Sequence, residues 1–197
     1  LAINMKKLLS VKVLVRKLLG IETAGSLNLL FTDKTGTLTQ GRLSVSAFLT
    51  GIGARHEKLN DIPQALRDLA VLALCNNTSA VIDASNPNDP KLVGADRTEQ
   101  ALLRFVTPYL TQSDPVNIVN FIPFNSTRKF SATQVSGSRS LTLVKGAPEV
   151  ILKNCGRRLD ANGHPQDLTD LSVLQAAMDE LSSRAMRLLA VAVTNTS

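Results

Sequence analysis

Asp33-Lys34-Thr35-Gly36-Thr37-Leu38-Thr39 is the stretch that decides the interpretation of this chain, and it follows the apolar run Leu27-Asn28-Leu29-Leu30-Phe31-Thr32. The length and composition of the run predict a buried strand. A carboxylate just past the carboxyl end of such a strand projects into the crevice where open α/β sheets bind ligands. Lys34 adds positive charge, Gly36 permits a tight turn, and the threonines offer hydroxyl and N–H groups to phosphate oxygens. Because carboxylates act as covalent nucleophiles in enzymes, Asp33 is a candidate phosphate acceptor; an ordinary polar turn is the alternative.

The heptapeptide resembles the phosphorylation signature of P-type ATPases, cation pumps that pass through an aspartyl-phosphate. That family shares its phosphorylation domain with the haloacid dehalogenase superfamily, whose phosphatases usually carry a second Asp two residues after the nucleophile. Thr35 stands at that position here, so water attack on a phospho-aspartate lacks its local base and the intermediate should live longer. The resemblance implies catalytic roles for Asp33, Lys34 and Thr35, with Mg²⁺ held at Asp33 and Thr35. It favours a pump over a soluble phosphatase.

The composition predicts a globular protein with one good core, or one domain and part of another. The chain has 197 residues, of which 44% are apolar and 19% are charged. No apolar window of about 18 residues lacks charge, and no signal peptide is evident. The net charge of +6 is partly local, since residues 6–17 carry only basic charges. With one Tyr and no Trp, the sequence argues against nucleic-acid binding.

Hydrophobic periodicity predicts an α/β fold in which strands adjacent in sequence pair in an antiparallel manner. The predicted helices lie at residues 8–19, from Asp61, over 98–105, from Glu149, and from Asp170 to Ser183. Within the first of them, Val11-Lys12-Val13-Leu14-Val15 has strand character too. The predicted strands are 117–122, 129–135, 140–145 and 188–193, and residues 76–92 are predicted to form a loop. The fold class is therefore an α+β domain with a mainly antiparallel sheet flanked by helices. The resemblance adds a partial haloacid-dehalogenase-like phosphorylation segment before it.

Candidate nucleotide-binding residues lie outside the known phosphate loops, since the sequence contains no Gly-x-x-x-x-Gly-Lys-Ser/Thr and no Gly-x-Gly-x-x-Gly. Residues 121–130 combine aromatic with basic side chains, which can stack on adenine and meet phosphates. Lys145 ends a predicted strand and is followed by Gly146, which permits close approach of a ligand. Arg187 precedes the last predicted strand. From periodicity alone, these features are a half-buried strand, a turn and a surface cation, with a nucleotide site as the alternative.

Three segments, two of them among those above, resemble the nucleotide-domain motifs of calcium-pump-like P-type ATPases, in the family's order. They are Thr98-Glu99-x-Ala101-Leu102, Phe124-x-x-x-Arg128-Lys129 and Lys145-Gly146-Ala147-Pro148-Glu149. The resemblance implies that Phe124 stacks on adenine, that Glu99 contacts the adenine side, and that Lys129, Lys145 and Gly146 line the cleft. Arg187 resembles the family's phosphate-directed arginine. The implied substrate is ATP, used with Mg²⁺.

The resemblance also implies a division of the chain. Residues 1–21 would be a stalk segment that follows a transmembrane helix, although their apolar and basic pattern also suits a helix on a membrane surface. Residues 22–40 would begin the phosphorylation domain, and residues 41–197 would form a nucleotide-binding domain that lacks its last strand.

The implied protein is the cytoplasmic portion of an integral membrane pump of the cell membrane. Its partners would be the actuator domain, the transmembrane helices and the rest of the phosphorylation domain. The transported cation is not specified by these residues, although Ca²⁺ is the ion most often associated with such motifs. The isolated chain is expected to bind nucleotide with little or no turnover. A non-catalytic nucleotide-binding or regulatory module stays open as an alternative, and a soluble haloacid-dehalogenase-type phosphatase is the less favoured one.

Overall fold

The computed structural model describes residues 2–17, 19–83, 91–94, 96–112 and 115–195. The chain divides into two compact units, Leu1–Gly41 and Arg42–Ser197. Among the described residues, no helix has the length and apolar character that crossing a membrane requires.

The first unit contains two short helices, α1 (Ala2–Ser10) and α2 (Leu19–Gly25). The predicted helix over 8–19 is wrong, because α1 ends at Ser10 and Lys12 adopts a left-handed backbone with φ of 62°. The N–H groups of Lys12 and Val13 bond back to the carbonyls of Leu9 and Leu8, which closes the helix end. The β-branched residues that follow favour extended backbone.

The predicted strand at 27–32 is also absent from the first unit. Residues 27–33 lie in no strand, and the side chains of Leu30 and Phe31 are 75% and 88% exposed. A buried strand needs neighbours that share its hydrogen bonds, and no described residue pairs with this run. The haloacid-dehalogenase-like segment is therefore not seen as a sheet.

The second unit carries all the strands of the described chain. Its elements in order are β1 (Phe48–Leu49), β2 (Arg55–His56), α3 (Gln64–Asn76), β3 (Val81–Asp83), β4 (Lys91–Val93), α4 (Arg97–Val106), β5 (Val116–Asn125), β6 (Phe130–Gly137), β7 (Leu141–Gly146), α5 (Pro148–Lys153), β8 (Arg157–Leu159), β9 (Pro165–Asp167), α6 (Ser172–Ser183) and β10 (Ala190–Asn195). Short 3₁₀ turns lie at Leu59–Asp61 and Thr107–Gln112. The predicted α/β class, with antiparallel sheets flanked by helices, is confirmed.

Four strands form the main sheet in the order β10-β7-β6-β5, and every pairing is antiparallel. The register pairs Phe130 with both Asn125 and Gly146, and pairs Gly146 with Ala190. The end of β5, the start of β6, the end of β7 and the start of β10 therefore meet at one end of the sheet. Three two-stranded sheets, β1-β2, β3-β4 and β8-β9, complete the described strands.

Helix α3 covers one face of this sheet and joins it to a second core cluster. Leu72 and Ala73 pack with Val135 and Leu143, which are at most 3% exposed. Other apolar residues of α3 pack against α4, where Val106 is fully buried. Because α3 touches both the sheet and α4, it fixes α4 relative to the end of β7.

The predicted positions of the four long strands and of the helices from α3 onward are confirmed, with two corrections. Asp61 does not begin α3, since it lies in the preceding 3₁₀ turn and Pro63 is the residue before the helix. The predicted loop at 76–92 contains the strands β3 and β4, and residues 84–90 lie outside the described ones.

Candidate functional site

Most of the predicted nucleotide-binding residues lie at one end of the main sheet. Lys145 and Gly146 end β7, Lys129 precedes β6, and Phe124 is near the end of β5. Arg187 lies three residues before β10, which begins at the same end. The antiparallel register thus gathers residues from three separate stretches of sequence, and Glu99 of α4 joins them through a direct contact with Lys145.

Lys145 is the most buried charged side chain of this group, with 4% of it exposed. Its ammonium nitrogen lies 2.7 Å from Oε1 and 2.8 Å from Oε2 of Glu99, and it donates a 2.6 Å hydrogen bond to the backbone carbonyl of Asn77. Burial lowers the pKa of Lys145, while the hydrogen bond and charge of Glu99 and the charge of Asp96 oppose that change. The ammonium is therefore held in place by partners that offset part of its desolvation.

Glu99 owes its position to the first turn of α4. Asp96 precedes the helix and its carboxylate accepts a 2.6 Å hydrogen bond from the N–H of Thr98, an N-cap that starts the helix at this point. Burial works against ionisation of Asp96, but the N–H and hydroxyl of Thr98 and the charge of Arg187 outweigh it and lower the pKa of Asp96. A negative group at the helix start is also favoured by the helix dipole.

Arg187, although distant in the sequence, contacts the same first turn of α4. Its Nη1 donates to Oγ1 of Thr98 over 3.3 Å, between residues 89 positions apart. Arg187 is an exposed residue, and its guanidinium has further N–H donors besides the one that bonds Thr98. Arg187 can therefore meet an anionic ligand beside the buried ion pair of Lys145 and Glu99.

Gly146 allows the turn before β6 to approach the end of β7. A Cβ atom at Gly146 would lie 2.4 Å from the backbone oxygen of Lys129 and 2.8 Å from Cα of Phe130. That same oxygen accepts a 2.9 Å hydrogen bond from the N–H of Ala147, and Lys129 itself has a left-handed φ of 60°. The two predicted segments are therefore locked together by backbone contacts that only glycine permits.

The side chains of Lys129 and Phe124 stay accessible at this end of the sheet. Lys129 forms a 3.1 Å ion pair with Glu149, both partners being more than half exposed. Phe124 is 51% exposed, so a ring face is open to solvent. Arg128 donates to the carbonyl of Pro123 over 3.1 Å and braces the turn between β5 and β6. An exposed aromatic side chain and an exposed cation thus lie at the same end of the sheet as the buried lysine.

The residues around Asp33 form a separate, exposed loop in the first unit. Lys34–Leu38 make one wide turn, closed by a 3.1 Å bond from the N–H of Thr39 to the carbonyl of Lys34. Oγ1 of Thr39 also accepts a bond from the N–H of Gly36, whose φ of 84° favours glycine. The side chains of Asp33 and Thr35 are exposed.

These loop residues do not make a magnesium site by themselves. Mg²⁺ takes six ligands in near-octahedral geometry, whereas Asp33 and Thr35 offer one carboxylate and one hydroxyl. Across the residues that the structure describes, no group of three or more His, Cys, Asp and Glu side chains could hold a metal ion. The predicted metal contacts stay a prediction.

The sequence did not predict the residues that hold Lys145 and Glu99 in position. Asn77 and Asp96 were not candidates, although they respectively hold Lys145 and cap the helix of Glu99. A capping signal was available for Asp96, which directly precedes the predicted helix. Nothing in the sequence separates Asn77 from its neighbour Asn76, because only the packing of α3 on the sheet buries one of them.

A large cavity of the second unit lies elsewhere. It measures about 1230 Å³ and is lined by β10, by apolar residues of α3 and α5, and by the β8–β9 hairpin. None of the candidate residues lines it. Side-chain chemistry and not cavity size therefore places the candidate site.

Comparison with known proteins gives the class of this chain. The family model described as "P-type ATPase, cytoplasmic domain N" matches residues 65–197. The chain therefore belongs to the P-type ATPase family. The match includes Glu99, Phe124, Lys129, Lys145, Gly146 and Arg187.

Particular relatives are pumps for different cations. The chain is 29% identical to calcium-transporting ATPase 10, plasma membrane-type, of Arabidopsis thaliana over 98% of its length, and 34% identical to calcium-transporting ATPase 3, plasma membrane-type, of Oryza sativa subsp. japonica over 98%. It is 32% identical to potassium-transporting ATPase alpha chain 2 of Homo sapiens over 96% of its length. The chain spans only 19–20% of these relatives.

Proposed function

We propose that the second unit binds ATP at the end of the main sheet, and that Asp33 accepts the γ-phosphoryl group in a pump that moves cations across the cell membrane. The observation that carries the ATP site is the buried ion pair between Lys145 and Glu99, at 2.7 Å, beside the exposed Phe124 and Arg187. Membership of the P-type ATPase family supports the wider activity.

The site offers each part of ATP a different kind of contact. The open face of Phe124 can stack on adenine, and base stacking on an aromatic side chain contributes about 1–3 kcal/mol. Glu99 supplies a carboxylate that can accept a bond from an exocyclic amine. Lys129 and Arg187 supply exposed cations for phosphate oxygens. Lys145, held by its partners, lines the space between these contacts.

The proposed chemistry at Asp33 is a phosphoryl transfer. A carboxylate oxygen of Asp33 attacks the γ-phosphorus, the bond to the β–γ bridging oxygen breaks, and ADP leaves with that electron pair. Water later cleaves the acyl-phosphate to inorganic phosphate and restores the carboxylate. Thr35 provides no base for that water, which supports a long-lived intermediate suited to transport. Mg²⁺, when bound, would neutralise phosphate charge, with further ligands from the rest of the pump.

Calorimetric titration with ATP tests the binding site. Wild type should bind weakly, and Phe124→Ala should weaken binding by about tenfold, since stacking of about 1.4 kcal/mol corresponds to that factor. Lys145→Ala should also weaken it. Ile118→Ala, at a similarly exposed position of β5, and Lys153→Ala, at an exposed end of α5, are matched controls that should leave affinity unchanged.

Two outcomes would contradict the proposed site. One is a folded chain that shows no ATP binding at all. The other is an equal loss of affinity in the two control variants. Circular dichroism of each variant establishes that the protein titrated is folded. The chain by itself should turn over little or no ATP, and appreciable phosphorylation of Asp33, absent in Asp33→Asn, would overturn that expectation.

A further inference from the structure

Asn77 is the C-cap residue of α3 and is 1% exposed, buried between the helix and the main sheet. Its backbone N–H bonds to the carbonyl of Ala73 over 3.0 Å and so completes the helix. Its backbone carbonyl accepts the 2.6 Å bond from the ammonium of Lys145. One residue therefore joins the end of a helix to the buried cation of the candidate site.

The side-chain amide of Asn77 fixes that carbonyl to the sheet. Nδ2 donates to the backbone oxygen of Ser131 on β6 over 3.2 Å and to that of Leu143 on β7 over 3.0 Å. Both N–H groups of the amide are thereby used, on two neighbouring strands. A flipped amide would place its oxygen against two carbonyl oxygens, so the bonding pattern sets the orientation.

Lys145 depends on the carbonyl of Asn77 because the carboxylates that face its ammonium all come from the start of α4. Glu99 and, at longer range, Asp96 face it from α4, and the carbonyl of Asn77 faces it from α3. Arg187, which bonds Thr98 of the same α4 turn, adds positive charge near these carboxylates. Without the carbonyl of Asn77, the ammonium would be held by α4 alone.

We propose that Asn77 is a positioning residue, which clamps its own carbonyl to β6 and β7 and thereby holds Lys145 against Glu99 in the geometry that receives the nucleotide. This inference rests on the proposed ATP site. It assigns Asn77 no contact with ATP. The hydrogen bonds of the Asn77 amide and carbonyl carry it, since all three are buried and together they constrain that carbonyl.

The test compares Asn77→Ala and the milder Asn77→Ser with Asn76→Ala. Asn76 is the matched control, because its amide donates only to the carbonyl of Leu72 within its own helix, over 2.8 Å. The first readout is the titration of the Lys145 side chain by NMR with ¹³C-labelled lysine and no nucleotide, assigned by the loss of its signal in Lys145→Arg. The second is the dissociation constant for ATP.

The expected result is that both Asn77 variants lower the pKa of Lys145 and weaken ATP binding, by about tenfold for Asn77→Ala, since a hydrogen bond to a charged group contributes about 1.5–3 kcal/mol. Asn77→Ser keeps one O–H donor and should lie between wild type and Asn77→Ala. Asn76→Ala should change neither quantity.

A Lys145 titration that equals wild type in folded Asn77 variants would overturn the inference and leave Asn77 as a support of the helix end only. ATP affinity equal to wild type in a variant whose Lys145 titration has moved would overturn it too. If the wild type binds no ATP, the proposed function fails. The titration of the Lys145 side chain then still shows whether Asn77 positions Lys145.

Discussion

The loop of Asp33 and the site of Lys145 are built in opposite ways. Asp33 lies in an exposed turn whose hydrogen bonds join residues at most five positions apart. Lys145 is 4% exposed and bonded to residues 46 and 68 positions away in the sequence. The first region therefore carries its chemistry in its local sequence, whereas the second exists only when the sheet, α3 and α4 have packed.

This difference predicts that substitutions in the two regions affect the stability of the fold to different extents. An exposed loop side chain such as that of Asp33 can be changed with little effect on folding, because it is not buried. A residue of the buried site serves both folding and ligand binding, so its substitution should cost stability even without ATP. The four predictions below test that contrast, in order of decreasing effect on the free energy of unfolding.

The largest effect is expected from Lys145→Met, which leaves Glu99 without its partner in a site where Glu99 is 14% exposed. Breaking a buried ion pair by removing one member costs about 3–5 kcal/mol. Urea denaturation measures the loss. The control is Glu180→Ala, which removes an equally short pair with Arg184, at 2.8 Å, whose members are more than half exposed. It should cost less than about 1 kcal/mol, and equal losses for the two variants would contradict the contrast.

Gly146→Ala should destabilise the second unit by about 2–3 kcal/mol, because the new Cβ would overlap the backbone of Lys129 and Phe130. The neighbours are backbone atoms and cannot rotate away. Gly156→Ala is the matched control, since a Cβ there meets nothing within 4 Å. The midpoints of urea denaturation of the two variants measure the difference. A Gly146→Ala protein as stable as the control would show that the end of β7 and the turn before β6 are not in close backbone contact.

Asp96→Ala should cost about 1 kcal/mol at neutral pH through loss of the N-cap of α4. The folded pKa of Asp96 lies below its ordinary value of 3.8, so its contribution is present above pH 3.8 and is lost as the pH falls through the folded pKa. The difference in stability between wild type and Asp96→Ala should therefore shrink below pH 3.8. Thermal denaturation across pH 2.5–7 measures it, with a constant difference as the contrary result.

Asp33→Asn should change the free energy of unfolding by less than about 0.5 kcal/mol, because the side chain of Asp33 is exposed and makes no capping hydrogen bond to the turn that follows it. Chemical denaturation of the two proteins side by side is sufficient. A loss comparable to that of Asp96→Ala would mean that Asp33 takes part in packing.

Local sequence patterns predicted much of the fold of the second unit but little of the first. The strands β5, β6 and β7 follow one another through short connections, and β10 is an apolar run after α6, so alternation and turn residues suffice to locate them. The strand expected at 27–32 could not be decided in the same way, since an apolar run becomes a buried strand only when other strands flank it. Its exposure here reflects the absence of such partners among the described residues.

The candidate site was predictable only in part for a related reason. Lys145 and Glu99 stand out through motifs, yet their contact joins β7 to α4 and no pattern within either element predicts it. Asn77 could not be predicted from the sequence, because its role comes from its burial between α3 and the sheet. Chemistry-bearing residues were therefore found from the sequence, and the residues that hold them were found from the packing.

The most direct test of the central claim is to follow the backbone amide signals of the ¹⁵N-labelled chain during ATP addition by NMR. We expect saturable shifts at Phe124, Lys129, Lys145, Gly146 and Arg187, with the signals of residues 33–39 unchanged. Shifts confined to residues 33–39, or to the cavity lined by α3, α5 and β10, would contradict the assignment of the nucleotide site to this end of the sheet.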